Sequence, residues 1–80
     1  MNKEDIFSNV SIILKDTFDN QELSISNETN AEDIDEWDSL SHIELISNIE
    51  KHFKVRFALG ELQDLRNIQD MVELIDKKVQ

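Results

Sequence analysis

Three stretches of this chain carry apolar residues at the three- and four-residue spacing of an α-helix, and no proline interrupts any of them. In the first, Ile6, Val10, Ile13, Leu14 and Phe18 recur. This predicts a helix from about Glu4 to Phe18, with Glu4 and Asp5 at the positive end of its dipole. In the second, Leu40, Ile43, Ile46, Ile49 and Phe53 give one broad apolar face with Leu45 at its edge. Glu44, Asn48 and Lys51 fall on the opposite side. The predicted helix runs from Ser39 to about Phe53, and the carboxylate of Asp38 is its N-cap. In the third, Ile68, Met71, Val72, Ile75 and Val79 follow Asn67 as a cap, with Asp70 three positions on. Each helix has a single stripe, so the stripes must meet in a common core.

The connections complete an all-α reading. Glycine occurs once, at Gly60, too few turn residues for an all-β domain of this length. Residues 55–59 alternate, but no partner strand is visible, so they read as an extended connection. A short helix is expected around Leu59 to Leu65. The long connection 19–37, rich in Asn, Asp, Glu and Ser, is anchored by Leu23, Ile25, Ile34 and Trp37. The expectation is one domain over residues 1–80, a four-helix bundle of three long helices and one short one.

Charge limits the partners. The net charge is −10, and the segment from Asp16 to Glu50 holds eleven acidic residues and no Lys or Arg. Such a field disfavours nucleic acid and anionic membranes and favours basic protein surfaces and divalent cations. Cysteine is absent, so no disulfide forms and any thiol chemistry needs a cofactor. The N-terminus has no apolar run suited to a secretion signal or a membrane span. The expected state is a cytoplasmic monomer.

The block Trp37-Asp38-Ser39-Leu40 places one hydroxyl in the first turn of the second helix. A phosphodiester on Ser39 would meet free N–H groups and the positive end of the dipole. Ser39 as an ordinary helix-start residue is the plain alternative. A triad of Asp38, Ser39 and His42 is rejected, because no oxyanion hole or nucleophile elbow is suggested. His42 is expected to pack at the end of the bundle, and His52 to face solvent. Asp33, Asp35 and Glu44 match positions of a calcium loop. Trp37 and Asp38 stand where a ligand and glycine are needed, so no metal site is expected. Trp37 reads as a core anchor, or else as an exposed aromatic contact.

Asp38-Ser39-Leu40, followed by Ser41-His42-Ile43-Glu44-Leu45-Ile46, resembles the acyl carrier protein family. The resemblance covers about Glu4 to Val79 and includes helix order and loop lengths. It implies a small acyl-carrier-like bundle that is not an enzyme. It also implies a 4'-phosphopantetheine arm, transferred from coenzyme A to Ser39 by a phosphopantetheinyl transferase with Mg²⁺. The arm's thiol would hold an acyl group as a thioester for presentation to partner enzymes. By the same resemblance, Asp38 helps position the metal or transferase, Leu40 offers an apolar contact, and Glu44 and Glu50 meet basic docking surfaces. Those surfaces belong to an acyl-loading ligase or acyltransferase and to downstream biosynthetic enzymes.

Departures point away from the housekeeping carrier of fatty-acid synthesis. Glu36 stands where glycine is common, Trp37 where a small residue is common, and Ser41 and Lys51 where acids are common. Ser47 and Asn48 replace small or apolar residues. These fit a discrete carrier in a dedicated pathway. Two other readings stay open: an aminoacyl or peptidyl carrier, and an acidic helical interaction module without a prosthetic group.

Overall fold

The computed structural model describes residues 2–58, 60–61 and 65–79, and in these residues the only regular structure is helical. Helix α1 spans Lys3–Thr17, α2 spans Ser39–Phe53 and α3 spans Ile68–Val79. α1 begins and ends one residue earlier than the apolar spacing suggested. Its true cap is Asn2, whose side chain accepts the Asp5 N–H at 2.8 Å. It closes at Asp19, which has a left-handed φ of 52°. The Asn20 N–H then reaches the Lys15 carbonyl at 3.0 Å and satisfies one of the helix's open acceptors.

α1 is the common support. Both α2 and α3 pack against it, and they approach each other much less. Ile6, Val10 and Leu14 of α1, Leu45 and Ile49 of α2, and Ile68, Met71 and Ile75 of α3 are all essentially removed from solvent. Burying a side chain of this size contributes roughly 1.5–3 kcal/mol.

The face that α2 buries is only part of the one expected: Ile46 and Ile49 are inside and Phe53 packs against the core, but Leu40 and Ile43 are not. Leu45, Ile46 and Ile49 are buried, whereas Leu40 is 80 % and Ile43 67 % exposed. Leu45 is central rather than peripheral. Five residues separate it from Leu40, about 140° around the helix, so one packing surface cannot take both. Two arcs of the helix are apolar, and contact with α1 selects the one built on Leu45 and Ile49. Asn48 is not on the solvent face either. It is half-buried, and its Nδ2 donates to Thr17 Oγ1 at 3.0 Å, tying α2 to the end of α1.

The long connection is ordered by the core beneath it. Ile34 is buried, and Leu23, Ile25 and Trp37 pack against the core. A short 3₁₀ turn, Ala31–Asp33, lies within it, capped by Asn30. The carbonyls of Thr29 and Asn27 accept the N–H groups of Ile68 and Gln69, each at 2.9 Å. The connection thus satisfies donors that the first turn of α3 leaves open. Asn67 caps the same helix, its Oδ1 accepting the Asp70 N–H at 2.9 Å.

Residues 55–58 are irregular, as the lack of a partner strand suggested. Of the short helix expected around Leu59 to Leu65, Gly60 and Glu61 are helical and Leu65 is not. Leu59 and residues 62–64 lie outside the described residues. Glu61 joins this segment to α3 through an ion pair with Lys78 at 2.9 Å, and the Lys78 ammonium lies 5.7 Å from the centre of the Phe57 ring.

Candidate functional site

The N-terminus of α2 is built by reciprocal capping. Asp38 adopts an extended backbone, and its Oδ1 accepts the Ser41 N–H at 2.9 Å. In return, the Asp38 N–H donates to Ser41 Oγ at 2.8 Å, and the Ser41 hydroxyl donates to the Glu36 carbonyl at 2.7 Å. Ser41 therefore performs the task that Glu performs in the usual capping box. The sequence reading missed this role, although a polar residue three positions after Asp38 was the signal. The Ser41 N–H, followed by the Ser41 hydroxyl, holds the Asp38 carboxyl below its ordinary pKa.

These bonds leave Ser39 alone in the first turn. Its side chain is exposed and has no hydrogen-bond partner among the described residues. The hydroxyl sits where helix N–H groups and the dipole favour an anion. An open groove of about 510 Å³ runs beside it, lined by Ala31, Trp37, Asp38, Ser39, His42 and Ile43. An exposed, uncommitted hydroxyl, an anion-favouring helix end and an adjacent groove with an indole wall fit a phosphodiester-linked arm.

Among the described residues, neither His42 nor Asp38 is arranged to activate Ser39. The Trp37 indole N–H donates to His42 Nδ1 at 3.0 Å, and the two rings stack with centroids 6.0 Å apart. Indole nitrogen only donates, so Nδ1 must accept and the imidazole proton resides on Nε2. Partial burial pushes the His42 pKa down, which favours this neutral form. Asp38 is committed to Ser41 and His42 to Trp37, so neither is arranged as a base or orienting group for Ser39. Among the described residues, no group of three or more His, Cys, Asp or Glu side chains is placed to hold a metal ion.

Trp37 is half-buried between Phe18, whose ring centroid is 5.8 Å away, and His42. It is the anchor the sequence suggested, and it also forms one wall of the groove. The bond between Trp37 and His42 was not read from the sequence, since five-residue spacing across a helix start gives no periodic signal. His52 is exposed, as expected, with its Nε2 3.0 Å from Asn9 Oδ1.

The residues assigned to partner contact divide in two. Leu40 and Glu44 are exposed on α2, and Ile43 adds a second uncovered apolar side chain beside them. Glu50 is half-buried, and its Oε2 accepts the Phe57 N–H at 2.9 Å. Its carboxylate already serves the fold.

Comparison with known proteins identifies the family. The family described as "Phosphopantetheine attachment site" matches residues 10–75. The acyl carrier protein of Coprothermobacter proteolyticus is 30 % identical over 79 residues, covering 99 % of this chain and 96 % of that protein. The acyl carrier protein of Thermosynechococcus vestitus is 32 % identical over 80 residues, covering 99 % and 98 % respectively. The solution structure of a holo acyl carrier protein from Geobacter metallireducens superposes with a TM-score of 0.87 at 46 % identity, covering 91 % of this chain and 84 % of that one. The chain belongs to the phosphopantetheine-attachment family of acyl carrier proteins, a carrier rather than an enzyme, with covalently attached 4'-phosphopantetheine as its prosthetic group.

Proposed function

We propose that Ser39 is the attachment residue and that residues 1–80 form one discrete carrier domain serving a dedicated biosynthetic pathway in the cytoplasm. The observation that carries the site is the Ser39 hydroxyl, exposed and uncommitted in the first turn of α2 within the matched region. In loading, the Ser39 oxygen forms the new bond to phosphorus as the pyrophosphate linkage of coenzyme A breaks. Adenosine 3',5'-bisphosphate leaves, and the serine proton passes to a base of the transferase. When bound, the arm supplies the thiol that holds an acyl group as a thioester, a group this cysteine-free chain lacks. The chain's own residues do the rest. Asp38 fixes the helix start and adds negative charge for a metal held by the transferase. The first-turn N–H groups favour the phosphodiester.

The proposed docking face is Leu40, Ile43 and Glu44, two exposed apolar side chains beside an acid. It suits basic surfaces on the transferase, on a loading ligase or acyltransferase and on downstream enzymes, with charge acting mainly on encounter rate and specificity. Glu50, held by Phe57, contributes less. The dedicated pathway is supported by Trp37 and by Ser41, which together give the helix start a construction different from the family's common pattern.

The test is incubation with coenzyme A, Mg²⁺ and a broad-specificity phosphopantetheinyl transferase, followed by intact mass and site mapping. The expected result is one added phosphopantetheine on Ser39 and none on Ser39→Ala with unchanged circular dichroism. Modification of the Ser39→Ala protein would refute the assignment. Malonyl loading by a fatty-acid-synthesis transferase as efficient as that of the housekeeping carrier would refute the dedicated role.

A further inference from the structure

The charge on α2 changes sign along its length. Asp38, Glu44 and Glu50 come first; from Lys51 to Gly60 there are three cations, Lys51, Lys54 and Arg56, and no acid. All three are exposed, and none has a side-chain hydrogen bond or ion pair among the described residues. His52, between them in sequence, is instead bonded to Asn9 of α1. The cations line an open groove of about 480 Å³ together with Ser47, Val55 and Phe57. Glu50 also lines it, but its Oε2 already accepts the Phe57 N–H. We propose that this groove is a docking surface for an acidic patch on a partner protein, which makes α2 a two-signed face: acid near Ser39 and base at its C-terminal end. The docking role rests on the partner face proposed for Leu40, Ile43 and Glu44.

Three observations carry it. The two ends share one side of the helix. Lys51 lies seven residues beyond Glu44, about 20° short of two full turns and about 10 Å along the axis, so the two stand nearly in line. Leu40 stands four residues before Glu44 on the same stripe, and all three side chains are exposed. The cations are also clustered: three of the chain's eight Lys and Arg residues fall within six positions. The negative end of the helix dipole accounts for Lys51 and Lys54, but its effect fades past the last turn, and Arg56 lies beyond it. Finally, Lys54 closes α2 with a left-handed φ of 58°, so a cation stands at a turn position where glycine would be less strained.

The arrangement gives a partner a direction. A surface that is basic throughout is attracted at Glu44 and repelled at Lys51 and Arg56. A surface with a basic patch and an acidic one about 10 Å away meets complementary charge along the whole stripe. Reversed along α2, the same surface meets like charge at both ends. The side chains are exposed, so their effect falls on encounter rate and partner choice more than on raw affinity. The partner class is enzymes whose carrier-binding surface is itself two-signed.

Isotope-labelled protein without a prosthetic arm is titrated with a hexaglutamate peptide and followed by amide NMR. The ionic strength is about 0.1 M, where a Debye length of about 10 Å screens the distant acids. Saturable shifts are expected at Ser47, Lys51, Lys54, Val55, Arg56 and Phe57 and not at residues 39–44. In Lys51→Gln/Arg56→Gln, shown to be folded by circular dichroism, the apparent Kd should rise at least about threefold, the effect of losing two exposed ion pairs. In Lys51→Glu/Arg56→Glu the saturable shifts should vanish. Lys54 is left in place because of its backbone. Absence of saturable shifts in wild type would overturn the docking surface, as would unchanged affinity in both variants. Inorganic phosphate shifting the same amides with equal affinity would make the groove a simple anion site and overturn it too. No arm is used, so failure to load Ser39 would overturn the attachment reading alone.

Discussion

The carboxylate of Glu50 accepts the backbone N–H of Phe57 at 2.9 Å, whereas Glu44, two turns nearer the start of the same helix, is exposed. Two acids that look alike in the sequence thus have different duties. Glu50→Ala should destabilise the fold by about 1–2 kcal/mol through an unpaired N–H and a loosened 54–58 segment. Glu44→Lys should leave stability within about 0.5 kcal/mol but weaken association with a basic partner, most clearly at low salt. Urea denaturation and binding measured across ionic strength check the pair. Equal stability losses from both substitutions would contradict the assignment.

Asp38 and Ser41 cap each other, so removing either should fray the start of α2. Asp38→Ala should lower the stability of the fold measurably. Because hydrogen bonds from Ser41 hold the folded carboxyl below its ordinary pKa, this stabilisation is present above the unfolded value, near pH 4. It is lost as pH falls through the folded value. Ser41→Ala should therefore move the Asp38 titration, followed by NMR, upward toward the ordinary aspartate value. An unchanged titration would show that the Ser41 hydroxyl does not reach the Asp38 carboxylate in solution.

His42 provides a second pH dependence. Its folded pKa is lowered by burial, so the stability tied to the neutral ring is fully present above about pH 6.5. That contribution is lost as pH falls through the folded value. Protonation turns Nδ1 into a donor and breaks the bond from Trp37. Trp37 is the only tryptophan in the chain, so its emission reports the event directly. Emission should change below pH 6.5 in wild type, and this step should vanish in His42→Asn. A step that persists in His42→Asn would assign it to another group.

The buried face of α2 makes a further prediction. Leu45→Ala should cost about 2–5 kcal/mol, because Leu45 is fully enclosed between helices. Ile43→Ala should stay within about 0.5 kcal/mol, because Ile43 is 67 % exposed. Denaturation midpoints of the two variants decide the matter. Similar losses would restore the broad apolar face of Leu40, Ile43, Ile46, Ile49 and Phe53, with Leu45 at its edge, that sequence spacing suggested.

By itself the sequence determined the positions of the three long helices, the caps at Asp38 and Asn67, the anchors Ile34 and Trp37, and the placement of Ser39 in a first turn. These are local properties. Apolar spacing and side-chain capping act within four or five residues, and they are written in consecutive positions. Only the tertiary structure decided which arc of α2 is buried, because α2 has apolar residues on both sides and the choice belongs to α1. It also turned Glu50 inward to Phe57, joined Asn48 to Thr17, and used the long connection to close the start of α3. The pairing of Trp37 with His42 is of the same kind. It needs Phe18 behind the indole and the turn of the chain at Asp38, and these come together only when the core has assembled around them.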